Sequence, residues 1–286
     1  MNNITMKQSL LLIILSAFLI GFTIPPHTIN DLQKLGLKGS VKNLIETKYK
    51  AVKQGDQLLK DTAIIYRSMK FNKEGYETES KYHQNGELFY SQEYIFGSQG
   101  EPLRMKQYDK NGKLHLAVDF QYDTNGRKSN AKYRYLDQSQ YYAEDRHSEM
   151  LVEVYDMKLF TDVRYTYNFD GLLTDEEYYY DNGALMYKNL YRYDYKGNRS
   201  ETVHFNAFER TSWLKKFKYD RDGRLIKSSL YISNRIAVES TFTYSFDSIG
   251  NWVNRTEERE VHKNILTEHI EEGPYITERV IVYYRQ

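Results

Sequence analysis

Aromatic and polar residues alternate along much of this chain. In Phe120-Gln121-Tyr122, Tyr165-Thr166-Tyr167, Tyr191-Arg192-Tyr193, Phe217-Lys218-Tyr219 and Tyr244-Ser245-Phe246, two rings flank one polar residue. Residues two apart on a strand share a face, so this period predicts strands with an aromatic ladder on one side and water on the other. Val41 to Ala51 alternates in the same way, which puts Val41, Asn43, Ile45, Thr47 and Tyr49 on one face. The tail Val280-Ile281-Val282-Tyr283-Tyr284, beyond a Gly273-Pro274 turn, is also strand-like, and Ile29 to Leu35 is a candidate short helix.

Glycines punctuate the alternation. Phe71/Gly75, Tyr82/Gly86, Phe96/Gly100, Tyr108/Gly112, Tyr122/Gly126, Tyr167/Gly171, Tyr179/Gly183, Tyr193/Gly197, Tyr219/Gly223 and Phe246/Gly250 each place a glycine four residues after a ring. One set of these glycines recurs about every 26 residues, and Gly86, Gly112 and Gly183 fall between its members. A repeat of that length holds two strands and two turns at roughly 5–10 residues per strand. Glycine supplies the positive φ of a hairpin, and a neighbouring aspartate can bond nearby amides. Where glycine is missing, Asn206 and Ser233-Asn234 stand in as turn residues.

The expected fold is all-β: tandem antiparallel hairpins, 16 to 19 strands in all. Open twisted sheets rarely exceed about 10 strands, so this one is expected to coil into a partly closed shell. The interval of 45 residues between Gly126 and Gly171 breaks the period. Residues 137–160 are therefore either an inserted loop or a degenerate repeat.

Composition sharpens this picture in two places. Only 40% of residues are hydrophobic, but 28 are tyrosines, which bring apolar area with a hydroxyl that stays wet. At the amino end, Lys7 is the only charge before Asp31, and Ser9 to Ile24 is nearly all apolar. That is the layout of a secretory signal, with an uncleaved anchor over residues 9–24 as the alternative. The expected division is thus a signal or anchor helix over residues 1–28 and a hairpin-repeat domain over 29–286, with clear repeats at about 66–252. Export to the periplasm or cell surface follows. The chain has no cysteine, so lipid acylation, disulfides and thiolate chemistry are excluded. Without residues 1–30, basic and acidic residues balance at 39 each, leaving no electrostatic footprint for nucleic acid. Membrane attachment is expected only through the amino-terminal segment.

The run Tyr219-Asp220-Arg221-Asp222-Gly223-Arg224-Leu225 resembles the YD repeat of RHS proteins, with Tyr108 to Leu114 and Tyr122 to Arg127 as close variants. Tyr82 to Leu88 and Tyr179 to Leu185 are more similar to MORN-variant repeats of antitoxin-like proteins. Gly250-Asn251-Trp252 followed by Ile276-Thr277-Glu278-Arg279 is similar to the ending of uncharacterised exported proteins of Bacteroidetes. Together these resemblances span about residues 66–286, and the RHS one implies a spiralling antiparallel sheet that can enclose cargo or support cell-surface contact.

No catalytic constellation is visible, and no cofactor is implied. His262 and His269 lack metal-motif spacing, and the seven histidines read as surface residues. The Asp-x-Asp/Asn-Gly turns lack the distant glutamate of a calcium loop, so they read as side-chain-stabilised turns. Aromatic side chains are the candidate ligand-binding residues: Trp213, Trp252, Tyr178, Tyr179 and Tyr180. The expected function is a non-enzymatic binding or scaffolding surface of the cell envelope, with a glycan or another envelope protein as its ligand. The alternative is an antitoxin-like or immunity-like inhibitor of one partner.

Overall fold

The computed structural model describes residues 30–55, 57–98, 100–136, 161–263, 270 and 272–285. The expected signal or anchor over 1–28 and the irregular stretch 137–160 lie outside the described residues. One short helix, α1 (Asp31–Lys34), precedes sixteen strands. The first eight are β1 (Val41–Gln54), β2 (Gln57–Phe71), β3 (Glu77–Gln84), β4 (Glu87–Phe96), β5 (Pro102–Asp109), β6 (Leu114–Tyr122), β7 (Lys128–Tyr135) and β8 (Asp162–Tyr167). The second eight are β9 (Leu173–Tyr179), β10 (Leu185–Tyr193), β11 (Arg199–Asn206), β12 (Thr211–Tyr219), β13 (Leu225–Ile232), β14 (Arg235–Phe246), β15 (Trp252–Val261) and β16 (Tyr275–Tyr283).

Every strand pairs antiparallel with its sequence neighbours, and β1 pairs with β16, so the sheet is a closed barrel. This corrects the partly closed shell expected from the sequence. The β1–β16 seam runs from Val41↔Tyr283 to Lys50↔Tyr275, so neither end of the sheet is left as a free edge.

All ten repeat glycines have φ between +73° and +88°. The turns before Gly112, Gly126, Gly197, Gly223 and Gly250 share one construction. In the last of the Tyr-Asp type, the Gly223 amide donates to the Asp220 carbonyl, and Asp220 Oδ1 accepts from the amides of Asp222 and Arg224, both at 2.9 Å. The turn aspartates therefore cap their own loops. Asn206 and Ser233-Asn234 also make turns: Asn206 Oδ1 accepts from Phe208 and Arg210, while Ser233 and Asn234 have φ of 49° and 61°.

Facing pairs of buried and half-buried residues define the inner wall. Met105 pairs with Val118, Val118 with Tyr133, and Ala131 with Val163, in a cluster bordered by Tyr94, Phe120, Tyr165 and Tyr178. The aromatic ladder lies on this side. The outer wall carries cross-strand ion pairs instead. Arg104, Asp119 and Arg134 form a chain over β5–β6–β7 at 2.5 and 2.6 Å, and Arg192, Glu201 and Lys216 do so over β10–β11–β12 at 3.0 and 3.6 Å. On β1, a register shift between Val41 and Asn43 puts Val41 and Leu44 together in the interior, both fully buried. The single face expected for Val41, Asn43 and Ile45 is split at that bulge.

Turns at Gly75, Gly100, Gly126, Gly171, Gly197, Gly223 and Gly250 form one rim, hereafter the first rim; the hairpins at Gly55, Gly86, Gly112 and Gly183 lie at the opposite rim. Helix α1 sits at the first rim, where the expected short helix over Ile29 to Leu35 is seen. Asn30 makes a capping box with Gln33, and Leu32 and Leu37 pack with Val41, Leu44, Met69 and Phe71. Asn251 ties this segment down: its Oδ1 accepts from the Lys38 amide at 2.7 Å and its Nδ2 donates to the Lys38 carbonyl at 2.9 Å. Among the described residues, no helix is long and apolar enough to cross a membrane.

Candidate functional site

Four rings form a continuous row on the inner wall across β9, β10, β11 and β12. Tyr178 stacks on Tyr187 with centroids 4.2 Å apart, Tyr187 tilts against His204 at 5.0 Å, and His204 lies parallel to Trp213 at 5.2 Å. The register places them there, because Tyr178 faces Tyr187 and His204 faces Trp213 across neighbouring strands. Each ring pair contributes roughly 0.5–1.5 kcal/mol beyond its buried area. Beyond Trp213 the row meets Ile232, its partner on β13.

Polar groups border the row. Glu176 accepts hydroxyl hydrogen bonds from Tyr178 at 3.0 Å and Tyr191 at 2.6 Å. Burial, reinforced by the Glu176 charge, raises both tyrosine pKa values well above the ordinary phenol value. His204 Nδ1 lies 2.9 Å from Asn189 Oδ1, and burial pushes the imidazole pKa down to about 4. A neutral ring therefore donates from Nδ1, since the amide oxygen only accepts. The Trp213 indole nitrogen is buried with no acceptor among the described residues. Stacked apolar faces with a few fixed polar groups are the makings of a ligand surface.

A second aromatic centre lies near the first rim on β14–β16. The Arg279 guanidinium sits 3.5 Å from the Trp252 ring centroid, that of Arg255 lies 5.1 Å away, and Tyr244 meets the same indole edge-on at 6.1 Å. One strand position further along, Glu257 pairs with Arg259 at 2.7 Å and with Lys48 at 3.7 Å. Burial opposes ionisation of Glu257, but the two cations hold its pKa below the usual carboxylate value.

Of the five ligand-binding candidates, Trp213 and Tyr178 belong to one row, and Trp252 belongs to the second centre. Tyr179 points outward, with its hydroxyl on Glu177 at 2.7 Å and the Arg164 guanidinium 4.2 Å from its ring. Tyr180 opens the Gly183 turn, where its carbonyl accepts from the Gly183 amide. Sequence reasoning missed Tyr187 and His204. Folding the hairpin about Gly197 would have found His204, because that register sets it opposite Asn189. The expectation of surface histidines is corrected for two of them: His204 is 6% exposed and His115 is 1% exposed, because both face inward or sit in a bulge of the wall. No group of three His, Asp or Glu residues suited to a metal occurs among the described residues, and His269 lies outside them.

No family model matches the chain, and no curated protein matches it. Among solved structures, a porin-like protein from Bacteroides uniformis is similar at a TM-score of 0.51 and 11% identity, over 85% of this chain and 98% of that one. A porin-like protein from Bacteroides vulgatus aligns at a TM-score of 0.44 and 12% identity, over 87% of this chain and all of the other (100%). The Photorhabdus luminescens Tc holotoxin pore aligns at a TM-score of 0.30 and 13% identity, over 76% of this chain but 13% of that one. The first likeness supports the all-β barrel fold; the other two are too weak in TM-score to carry an argument.

Proposed function

We propose that this chain is a non-enzymatic, exported barrel of the bacterial envelope that stands in water and binds its ligand on the inner wall. The observation that carries the reading is the Tyr178–Tyr187–His204–Trp213 row, with a buried indole N–H that lacks an acceptor among the described residues. A glycan fits it best, since sugar faces stack on rings and sugar hydroxyls supply the missing acceptor. An envelope location is supported by the apolar amino-terminal run and by the fold shared with a porin-like protein. The YD-like units enter as turn chemistry, which is the part of that resemblance the described turns support.

The outer wall argues against a lipid-spanning barrel. Such barrels need an outward apolar band, and each outward Lys or Arg at mid-membrane costs about 2–4 kcal/mol. Arg104, Arg134, Arg164, Arg192, Lys216 and Lys227 all lie on the outer wall. Even half of them at that cost would rival a whole domain's stability of about 5–15 kcal/mol.

The test uses the two-tryptophan composition of the chain. A Trp252→Phe variant leaves Trp213 as the sole indole reporter. Titration with neutral oligosaccharides and envelope glycan fragments is expected to shift its emission saturably. Calorimetric binding that leaves Trp213 emission unchanged would overturn the inner-wall reading.

A further inference from the structure

We infer that Arg255 and Arg279, both set against the Trp252 ring, form a subsite for an oxyanion group (carboxylate, sulfate or phosphate) carried by the ligand. The inference rests on the reading of the inner wall as the binding surface and names the chemistry of one part of it.

The charges around Trp252 do not balance. Arg279 gives its Nε–H to Glu46 Oε2 at 2.9 Å, and its side chain is only 6% exposed. Its Nη1 is buried with no acceptor among the described residues. Arg255 has no carboxylate partner among them, and its Nε is likewise buried without an acceptor. Two guanidiniums thus face one ring with a single carboxylate, Glu46, bound to one of them. Burial lowers the Arg279 pKa, Glu46 opposes that, and the charge of Arg255 adds to the lowering. An anion between or beside the two cations would relieve this repulsion.

The neighbouring groups do not supply that anion. Glu257 is held by Arg259 and Lys48 and accepts from the Ser240 hydroxyl at 3.0 Å. The Trp252 ring attracts the guanidinium charge, but its face offers no lone pair to an N–H directed elsewhere. Buried polar groups left without partners call for an explanation such as a bound ion or ligand. Guanidinium forks match the geometry of oxyanions, and an adjacent indole favours a sugar or other flat group behind the charge.

The experiment titrates the mature protein with sodium sulfate, sodium phosphate or sodium glucuronate against sodium chloride at equal ionic strength, reading Trp252 emission in a Trp213→Phe background and the melting temperature. At least one oxyanion is expected to saturate and raise the melting temperature beyond chloride, and the one that does so identifies the group. Arg255→Gln is expected to weaken that binding at least tenfold, Arg255→Lys to restore part of it, and Lys216→Gln on the outer wall to change nothing. Arg279→Gln removes a buried, paired cation and can unfold the chain, so the decisive variant is Arg255→Gln. A response no different from chloride, or equal binding by Arg255→Gln, overturns the subsite. Neutral oligosaccharide shifting Trp213 while oxyanions fail would leave the glycan row standing without the subsite; saturable oxyanion binding while no neutral oligosaccharide shifts Trp213 would leave the subsite standing without the row.

Discussion

Tyr219 donates its hydroxyl to the backbone carbonyl of Arg199 at 2.9 Å, joining the end of β12 to the first residue of β11. The same link recurs around the first rim: Tyr122 to Pro102, Tyr167 to Lys128, Tyr193 to Leu173 and Tyr244 to Leu225, at 2.6 to 2.8 Å. Each acceptor is the first residue of its strand. At Gly126, Gly171, Gly197 and Gly223 the tyrosine four residues before the glycine therefore has two roles, a ring in the ladder and a staple between strands. At Gly250 that position is Phe246, and Tyr244 supplies the hydroxyl from two residues earlier.

Tyr219→Phe is expected to lose about 1 kcal/mol, the net worth of one hydrogen bond. Tyr219→Ala removes the ring as well, and roughly 3 kcal/mol is expected, the low end for a large aromatic because the ring is half-buried. Phe246→Tyr should be near neutral, since Tyr244 already makes the link. Urea titrations of the three variants separate hydroxyl from ring.

Gly223→Val is expected to cost more than about 1 kcal/mol, because φ is +79° there and a β-branched residue is strained in that region. Gly55 has φ of +62° although no ring precedes it by four positions. Gly55→Val should nevertheless cost less. Its hairpin tip is exposed from Val52 to Gly55 and from Leu59 to Ala63, so it can fray without loss of the wall. Equal losses in denaturant would show that the tip unfolds together with the barrel.

The hairpins were legible because their signal is local. A ring, an aspartate and a glycine within five residues specify the turn, and period two specifies its strands. Closure was not legible. It depends on Leu44 meeting Ile281, a pairing between chain ends that no local pattern records. The sequence separated a ring face from a wet face but could not say which would be concave. Trp213 and Tyr178 stood out by residue type alone, whereas His204 acquires its role only from the strand opposite it.

The charged outer wall leads to a prediction about solvent and energy together. Glu201 bridges Arg192 and Lys216, which are 64% and 48% exposed. Exposed pairs of this kind contribute about 0–1 kcal/mol, so Glu201→Gln should lower stability by less than about 1 kcal/mol and leave the protein soluble. The barrel should sediment as a discrete species without detergent. Precipitation on detergent removal, with recovery in micelles, would mean that lipid covers this wall.

His204 supplies the pH dependence. Burial lowers its folded-state pKa from 6.5 to about 4, so the folded ring stays neutral where the unfolded one takes up a proton. Stability from this group is complete above pH 6.5, declines as pH falls from 6.5 toward 4, and levels off below that. The loss is of the order of a few kcal/mol. Glu77 works in the opposite sense: burial raises its pKa above 4.5, so protonation at low pH favours the folded state. The contribution of His204 is therefore read as a difference between wild type and His204→Gln. At pH 7.5 the variant should be the less stable, having lost the ring between Tyr187 and Trp213, and its stability should fall less steeply on acidification. The two curves should approach each other toward pH 4.5. Parallel curves across that range would mean that the folded ring titrates as freely as the unfolded one, and the water-excluding contact with Trp213 would then be wrong.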